Sequence, residues 1–463
     1  MTPIPNLRGA RVTVVGLGIE GVDLVRHLTS EGASVTVSDS RPPSELVDQL
    51  AAIAEIVDRG AATLSLGANR ATDTATADYV FASQGVPAAL PALRAAREAG
   101  VPISSMAQLF LERCPAPVAG ITGSAGKTTT TALVGAMLAA SGIDHVVGGN
   151  IGVGLLSLLP RIRADTRVVI ELSHTQLASV DRSPQLACVT NVTPNHLDRF
   201  SWDEYVGLKR RIFAFQGADD SVVLNLDDEV CAGFATEAPG RVVGTSLRRE
   251  LPGDGARLRD DAVVARRDGD ERTLFRRDEI PLRGDHNVEN VLSAVAIAAE
   301  LAVADGAIAE AVRDFRGVPH RLEHVATVAG VTYVNDSIAT TPERTLAGLR
   351  SYDGPLVLVL GGRHKDLPVA GLAAEVAERC RAVIAFGEHG PLFAAAVRER
   401  AGGGTPVVRE VASVGEAVSA AAEEARPGDV VLFAPAGTSF DAYRNFEARG
   451  QAFRDAVAGL ESV

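Results

Sequence analysis

The residues best suited to chemistry lie in the segment 120–129, which has the composition of a phosphate-binding loop. In such a loop, glycines let backbone N–H groups point at phosphate oxygens, and the helix behind adds positive potential. Lys127 would neutralise the outer phosphates of a nucleotide, and the Thr128 hydroxyl would bind Mg²⁺. The residues predicted to hold the nucleotide are Gly123, Ser124, Ala125, Gly126, Lys127, Thr128 and Thr129.

The flanking residues supply the elements that this loop needs. Val118 and Ala119 end a short apolar run that predicts a strand, and the segment 131–140 has helical composition. One departure marks a subtype: Ile121 stands where the common pattern has glycine, and the glycine is one residue earlier.

Two polar positions follow predicted strands in the same region. Glu171 ends the apolar run 167–170, where a carboxylate could hold the Mg²⁺ of ATP, although an isolated glutamate there is more often a solvated strand end. His196 lies in the polar segment 191–199, after another strand, and is a second candidate for the site.

Asn287 and Asn290 begin a long alanine-rich helix that we expect to run from about residue 284 to 304. Three residues apart, they share one helical face, which suits ligand contact, and capping of the helix by one of them is the alternative. The segment 247–283 is charged and rich in turn residues, so we expect an exposed hairpin region without chemistry.

A second glycine-rich turn occurs near the N-terminus. The strand 11–15 runs into Gly16, Gly18 and Gly21, and Asp39 ends the next strand, as in dinucleotide-binding βαβ units. The pattern alone favours an NAD enzyme, but the same turn can hold any nucleotide diphosphate, or no ligand.

Proline- and glycine-containing segments divide the chain into three predicted domains, residues 1–115, 116–318 and 319–463. In the last, strands ending near Asn335, Gly361, Gly387 and Ala434 alternate with alanine-rich helices, which predicts an open α/β sheet with its ligand edge at the strand ends.

The composition narrows the class of protein. The 463 residues carry a net charge of −13, with 22% charged residues and no basic stripe, so nucleic acid is not an expected partner. The four cysteines lack zinc-like spacing, and no apolar run could span a membrane. No signal-peptide pattern occurs at the N-terminus, so we expect a monomeric cytoplasmic enzyme without membrane association.

Taken together, the motifs resemble those of the Mur ligase superfamily, the ATP-dependent amide-forming ligases of peptidoglycan and folate metabolism. The resemblance covers the whole chain. It is carried by the phosphate loop and by five further segments: 149–152, 191–199, 319–321, 335–337 and 445–450. It implies an α/β protein with a Rossmann-like N-terminal domain, a central P-loop-type ATPase domain and a Rossmann-like C-terminal domain.

Within the family, the chain looks most like the members that add glutamate to UDP-N-acetylmuramoyl-L-alanine. The resemblance implies that ATP first converts the alanine carboxylate to an acyl phosphate, which the glutamate amine then attacks. It implies two Mg²⁺ ions, one on Thr128 and Glu171 and one on His196, with Lys209 carbamylated by CO₂ as a carboxylate-like partner. From the residues alone, Lys209 would be an ordinary surface lysine.

The resemblance also implies which residues contact ATP, the UDP-sugar and glutamate. The expected ATP contacts outside the loop are Asn287, Asn290, Arg321 and Asp336. The expected UDP-sugar contacts are Gly18, Ile19, Asp39, Ser40, Arg41 and Asn150. The expected glutamate contacts are Thr340, Lys365, Ser439 and Phe446. Because ATP and glutamate residues fall in different domains, we expect domain closure.

Two departures from the family pattern leave the detailed substrate specificity open. Ile338 stands where the family usually has lysine, and Glu20 stands where the UDP loop usually has threonine. One alternative is a variant of this ligase that uses L-glutamate. A less favoured alternative is another amide ligase of the superfamily, such as a folylpolyglutamate synthase. A non-catalytic scaffold is disfavoured by the intact Lys127, Thr128, Glu171, His196 and Lys209.

Overall fold

The structure is a computed structural model that describes residues 4–149, 154–195, 200–282, 284–364, 367–401 and 406–460. The chain divides into two compact units, residues 1–315 and 316–463. All four cysteines are free. Within the described ranges, no helix combines the length and apolar character needed to cross a bilayer.

The N-terminal part of the first unit is a parallel sheet with the strand order β3-β2-β1-β4-β5. Its strands are β1 (Arg11–Val15), β2 (Ser34–Asp39), β3 (Ala62–Leu66), β4 (Tyr79–Ala82) and β5 (Ile103–Ser104). Its helices are α1 (Ile19–Ser30), α2 (Val47–Asp58), α3 (Ala71–Ala75), α4 (Pro91–Glu98) and α5 (Met106–Arg113). The loops after β1, β2 and β4 therefore meet at one edge of the sheet.

The central part of the first unit is a larger sheet with the order β14-β13-β12-β11-β10-β9-β6-β8-β7. Its strands are β6 (Val118–Thr122), β7 (His145–Gly149), β8 (Arg167–Glu171), β9 (Leu186–Val189), β10 (Ser221–Asn225), β11 (Arg241–Ser246), β12 (Gly255–Arg259), β13 (Ala262–Arg267) and β14 (Asp270–Arg276). Its helices are α6 (Lys127–Ala140), α7 (His174–Leu177), α8 (Trp202–Arg210), α9 (Glu229–Phe234), α10 (Asp285–Glu300) and α11 (Asp305–Asp314).

Two sequence expectations for this sheet need correction. In the segment 247–283 the predicted hairpins are present, since β13 pairs antiparallel with both β12 and β14, but the segment is not simply exposed: β12 pairs with β11 and continues the main sheet, and Val263 and Phe275 are buried. The long helix ends at Glu300 instead of about residue 304. Ala302 takes a left-handed conformation (φ 60°), and the N–H of Val303 bonds back to the carbonyl of Ala298, which closes the helix end.

One of the apolar clusters of the first unit runs through both of its sheets. It joins residues such as Leu24 and Phe110 of the N-terminal part to Leu155 and Ile170 of the central part. The two parts therefore share one apolar cluster, and this agrees with their assignment to one unit.

The second unit is a mixed sheet with the order β15-β16-β20-β17-β18-β19, antiparallel only between β15 and β16. Its strands are β15 (Glu323–Val328), β16 (Val331–Asn335), β17 (Leu356–Gly361), β18 (Cys380–Phe386), β19 (Val407–Val411) and β20 (Val430–Ala436). Its helices are α12 (Pro342–Leu349), α13 (Ala370–Arg379), α14 (Gly390–Ala401), α15 (Val414–Glu424) and α16 (Phe446–Leu460). Buried apolar clusters pack on both faces of the sheet, as an α/β architecture requires.

Candidate functional site

The phosphate loop spans the gap between β6 and α6, and two of its glycines are required by close contacts. Gly126, with φ 82°, precedes the first residue of α6, and a Cβ there would lie 2.0 Å from Oδ1 of Asn290. A Cβ on Gly123 would lie 2.0 Å from Oγ1 of Thr190. The loop backbone therefore passes under side chains from two other elements, which leaves no space for larger residues.

Two lysine side chains converge on one carbonyl of this loop. Nζ of Lys127 donates to the Gly123 carbonyl at 2.8 Å and to that of Ser124 at 3.2 Å. Nζ of Lys209 donates to the same Gly123 carbonyl at 2.8 Å and to Oγ1 of Thr122 at 3.3 Å. Two amines thus stand beside the place where the phosphates of a nucleotide would lie.

Lys209 is not the surface lysine that the residues alone predict, because it is only 1% exposed. It lies one helical turn after Tyr205 on α8, with Nζ 5.3 Å from the centre of the tyrosine ring. Burial, together with the charge of Lys127, holds the pKa of Lys209 well below its ordinary value, and Glu171 only partly opposes this shift. A larger share of this amine is therefore neutral, and so nucleophilic, than for an exposed lysine.

The oxygen donors predicted for Mg²⁺ come from two neighbouring elements. Thr128 lies in the first turn of α6 and is buried, and Glu171 is the last residue of β8 and is 2% exposed. Because β8 pairs with β6 in parallel, with Glu171 opposite Ile121, its carboxylate reaches the edge at which the phosphate loop begins. A hydroxyl and a carboxylate are the hard ligands that fit Mg²⁺.

The asparagines of α10 face the loop. Gly284 occupies the N-cap position of this helix, so neither Asn287 nor Asn290 caps it. Nδ2 of Asn290 donates to Oδ1 of Asn287 at 3.2 Å, and Oδ1 of Asn290 lies against Gly126. The pair is therefore placed beside the nucleotide loop, where side-chain amides can contact a bound nucleotide.

At the N-terminal sheet edge, Gly18 precedes α1 and Ile19 is 64% exposed. Asp39 is buried and already engaged: one oxygen accepts from the Leu17 N–H at 2.7 Å, and the other accepts from the Arg41 N–H at 2.9 Å. Although burial opposes ionisation, the hydrogen bonds from Arg41 hold the pKa of Asp39 below its ordinary value. The carboxylate, predicted to accept from a ribose hydroxyl, therefore also orders the loops around it, while Arg41 and Ser40 remain at the surface.

In the second unit, predicted site residues gather after β16 and β20. Asp336 follows β16, and its Oδ1 accepts from the Leu322 N–H at 3.1 Å. Burial raises the pKa of Asp336 to about 6, against smaller opposing effects that include the charges of Arg321 and Arg344. This carboxyl group is therefore held in an environment that disfavours its charged form until a cation is near.

A buried arginine, which the sequence analysis did not select, ties these loops together. Arg449 of α16 donates to both the hydroxyl and the carbonyl of Ser337 and, at 2.9 Å, to the carbonyl of Gly437. The Ser337 hydroxyl in turn donates to the carbonyl of Phe446 at 2.8 Å. Ser439, two residues after Gly437, is also buried. Thr340 lies three residues after Ser337. Arg449 lies in the segment 445–450 that carries the family resemblance, but that pattern did not indicate these contacts.

The sequence analysis also missed two residues whose hydroxyl groups contact the phosphate loop, Tyr205 and Thr190. Oη of Tyr205 lies 2.9 Å from Oγ of Ser124, and Thr190 donates to the carbonyl of Ala125 at 2.6 Å. Neither carries a motif that would single it out. Three predicted site residues, Asn150, His196 and Lys365, lie outside the described residues.

Three family models match consecutive parts of the chain. They are a MurD-like N-terminal domain at residues 10–105, a Mur ligase middle domain at 121–298 and a Mur ligase glutamate ligase domain at 320–437. A relative from Symbiobacterium thermophilum named UDP-N-acetylmuramoylalanine–D-glutamate ligase is 43% identical over 97% of this chain and 98% of its own. One of the same name from Acetivibrio thermocellus is 38% identical over 99% and 98%.

Solved structures share the fold at lower identity. The chain matches UDP-N-acetylmuramate-alanine ligase MurC from Thermotoga maritima with a TM-score of 0.54 and 19% identity, over 97% of this chain and 99% of that one. It matches MurF from Acinetobacter baumannii with a TM-score of 0.53 and 19% identity, over 83% and 85%. With three family models covering most of its length and full-length relatives at this identity, the chain belongs to the Mur ligases, the family of ATP-dependent amide ligases.

Proposed function

We propose that this chain adds D-glutamate to the alanine carboxyl group of UDP-N-acetylmuramoyl-L-alanine, at the expense of ATP, in the cytoplasmic synthesis of peptidoglycan precursors. The observation that carries the proposal is the meeting of Lys127 and Lys209 at the phosphate loop, beside Glu171. The names of the full-length relatives support the choice of substrates. The domain limits that we propose are 1–115, 116–318 and 319–463, in a chain that acts as a monomer.

In the first step, an oxygen of the alanine carboxylate attacks the γ-phosphorus of ATP, and ADP leaves as the new P–O bond forms. Both reactants are anions, so the step requires charge neutralisation and alignment more than a nucleophilic side chain. Lys127 supplies a positive charge at the phosphates, and Mg²⁺ held by Thr128 and Glu171 would further neutralise them. Asn287, Asn290, Arg321 and Asp336 complete the proposed ATP contacts.

In the second step, the glutamate amine attacks the acyl carbon, and inorganic phosphate leaves with the electrons of the C–O bond. The amine must be neutral to attack, so its proton passes to a base or to solvent. The proposed glutamate contacts are Thr340, Lys365, Ser439 and Phe446. The proposed UDP-sugar contacts are Gly18, Ile19, Asp39, Ser40, Arg41 and Asn150.

Lys209 acts in this proposal as a carbamate. The ammonium group first loses a proton to solvent, and the neutral amine then attacks the carbon of CO₂; an N–C bond forms, one C–O π bond breaks and a second proton is released, which leaves a carbamate anion. The burial and the lowered pKa of Lys209 support this reaction, because both favour the neutral amine. Together with His196, the carbamate would hold a second Mg²⁺, whereas an uncharged or cationic lysine could not.

The test is phosphate release by the purified chain with ATP, Mg²⁺ and UDP-N-acetylmuramoyl-L-alanine, with D-glutamate in one reaction and L-glutamate in another. Release with D-glutamate is the expected result, and Lys127→Ala should abolish it. Release with L-glutamate alone would identify a variant acceptor site and point to the segment around Ile338. Release with neither would overturn the substrate assignment, and a folate substrate with glutamate would then be the next pair to assay.

A further inference from the structure

Glu20, in the first turn of α1, has both carboxylate oxygens engaged by other loops. Oε2 accepts from the backbone N–H of Gln84, which follows β4, at 2.8 Å. Oε1 accepts from Nε2 of Gln176, which belongs to α7 of the central sheet, at 3.2 Å. The side chain therefore joins the N-terminal and central parts of the first unit.

Gln176 cannot turn its amide without breaking other bonds. Its Oε1 accepts from the Ser173 N–H at 3.0 Å, and its own backbone N–H donates to Oγ of Ser173 at 3.1 Å. This capping box fixes Nε2 toward Glu20. Ser173 is two residues beyond Glu171, so the bridge ends beside the strand end proposed to hold Mg²⁺.

A parallel set of contacts supports the same connection. Oε1 of Gln84 accepts from Oγ of Ser173 at 3.1 Å and from Oγ1 of Thr175 at 2.9 Å. One turn further along α1, Oδ2 of Asp23 accepts from the Leu156 N–H of the central part at 2.7 Å. The helix is thus tied to the central part at two points, and burial raises the pKa of each of these carboxyl groups.

We propose that Glu20 is a positioning residue that, with Gln84 and Gln176, holds the start of α1 in fixed register with the strand ending in Glu171. The proposal rests on the proposed function, since the start of α1 is where the UDP-sugar would bind and Glu171 is where the ATP metal would bind. Phosphoryl transfer needs the alanine carboxylate aligned with the γ-phosphate, and a displacement of about 1 Å can cost roughly 100-fold in rate.

The test exchanges the two side chains. Glu20→Gln leaves one acceptor oxygen for two donors, so its amide nitrogen opposes either Nε2 of Gln176 or the Gln84 N–H, and Gln176→Glu places one carboxylate against another. In the double variant, the amide at position 20 can donate to the carboxylate at position 176, and that carboxylate can still accept from the Ser173 N–H. Each single variant should lower kcat/KM for the UDP-sugar by about tenfold, and the double variant should recover most of it.

Two further measurements separate positioning from stability. In each single variant kcat should fall and KM for the UDP-sugar should rise, while KM for ATP stays unchanged. These changes should persist far below the unfolding temperature. Glu98→Ala, which removes an exposed carboxylate from α4, should leave all three values unchanged. Single variants that shift only the unfolding midpoint, or a double variant whose losses add, would overturn the proposal.

Hydrogen exchange keeps the proposal testable even if the wild-type chain proves inactive on these substrates, which is the failure of the proposed function. The amide of Gln84, whose N–H donates to Glu20, should exchange faster in Glu20→Ala, which removes both acceptor oxygens, than in the wild-type chain. Unchanged exchange at this amide in Glu20→Ala would refute the bridge itself.

Discussion

Replacing Lys209 with methionine separates the chemistry of this amine from its contribution to the fold. The two side chains are similar in length, and methionine needs no hydrogen-bond partner. The acceptors that lose the amine keep other partners: the Gly123 carbonyl still accepts from Lys127 at 2.8 Å. The Thr122 hydroxyl still donates to the carbonyl of Leu172 at 2.7 Å. No buried polar atom of this pair is therefore left without a partner by the change.

The effect of Lys209→Met on the free energy of unfolding follows from these contacts. Two lost hydrogen bonds contribute about 1 kcal/mol each, and removing a polar amine from a buried position acts in the opposite direction. We expect the free energy of unfolding to change by less than about 2 kcal/mol, which corresponds to a shift of only about 3 °C in the unfolding midpoint of a unit this size.

The effect on activity should be much larger. If the carbamate of Lys209 orders a metal ion, its removal should lower kcat by about 100-fold, as expected for loss of a group that tunes a metal site. The assay is phosphate release with the proposed substrates, compared with Arg210→Met, which changes an exposed neighbour on the same helix. With ¹³C-labelled bicarbonate, a carbamate resonance should appear in the wild-type chain and be absent from Lys209→Met.

The reasoning would be refuted by a Lys209→Met enzyme that keeps most of its activity. It would also be refuted by wild-type activity that does not depend on bicarbonate and gives no carbamate resonance. Loss of activity together with unfolding of the variant would contradict the stability estimate, since the remaining hydrogen bonds should preserve the loop.

Three other predictions follow from the contacts described above. Gly126→Ala should weaken ATP binding, because the new Cβ would lie 2.0 Å from Oδ1 of Asn290; calorimetry measures this change. Adding Asn290→Ala should relieve the clash but not the backbone strain at φ 82°. Because burial raises the pKa of Asp336 from 3.8 to about 6, raising the pH between these values should lower the stability of the second unit by roughly 3 kcal/mol. Asp336→Asn should remove this dependence in thermal unfolding measured across that range while abolishing ligation, and a retained dependence would contradict the assignment. Arg449→Met should destabilise the second unit by at least about 3 kcal/mol in denaturant unfolding, because it leaves carbonyls of two loops without their buried donor; a change below about 1 kcal/mol would show that water replaces the guanidinium.

Several features of the fold could be predicted because their signals are local. Apolar runs that end in glycine or a polar residue identified β1, β6, β8 and β17, and glycine spacing identified the phosphate loop. The α/β class was confirmed by the structure and by the family matches. The edge strands β15 and β19 were not predicted, since their half-exposed residues alternate with charged ones and resemble loop sequence.

Long-range contacts account for what the sequence analysis missed. The segment 247–283 joined the central sheet because its neighbour β11 offers an open edge, which no property of the segment itself reveals. Asp39 was predicted to bind a ribose hydroxyl. Its oxygens also accept from Leu17, 22 residues away, and from Arg41. Such pairings depend on where the chain returns, and not on local composition.

The sequence by itself determined the chemistry that is available: a loop whose glycines and lysine suit phosphate, and a carboxylate at a strand end. Only the tertiary structure decided the environment of that chemistry. Lys209 bonds to the carbonyl of Gly123, 86 residues earlier, and is buried beside Lys127 and Glu171. The physical reason is that the pKa of a side chain depends on the charges and the water around it, and these are set by packing between distant segments.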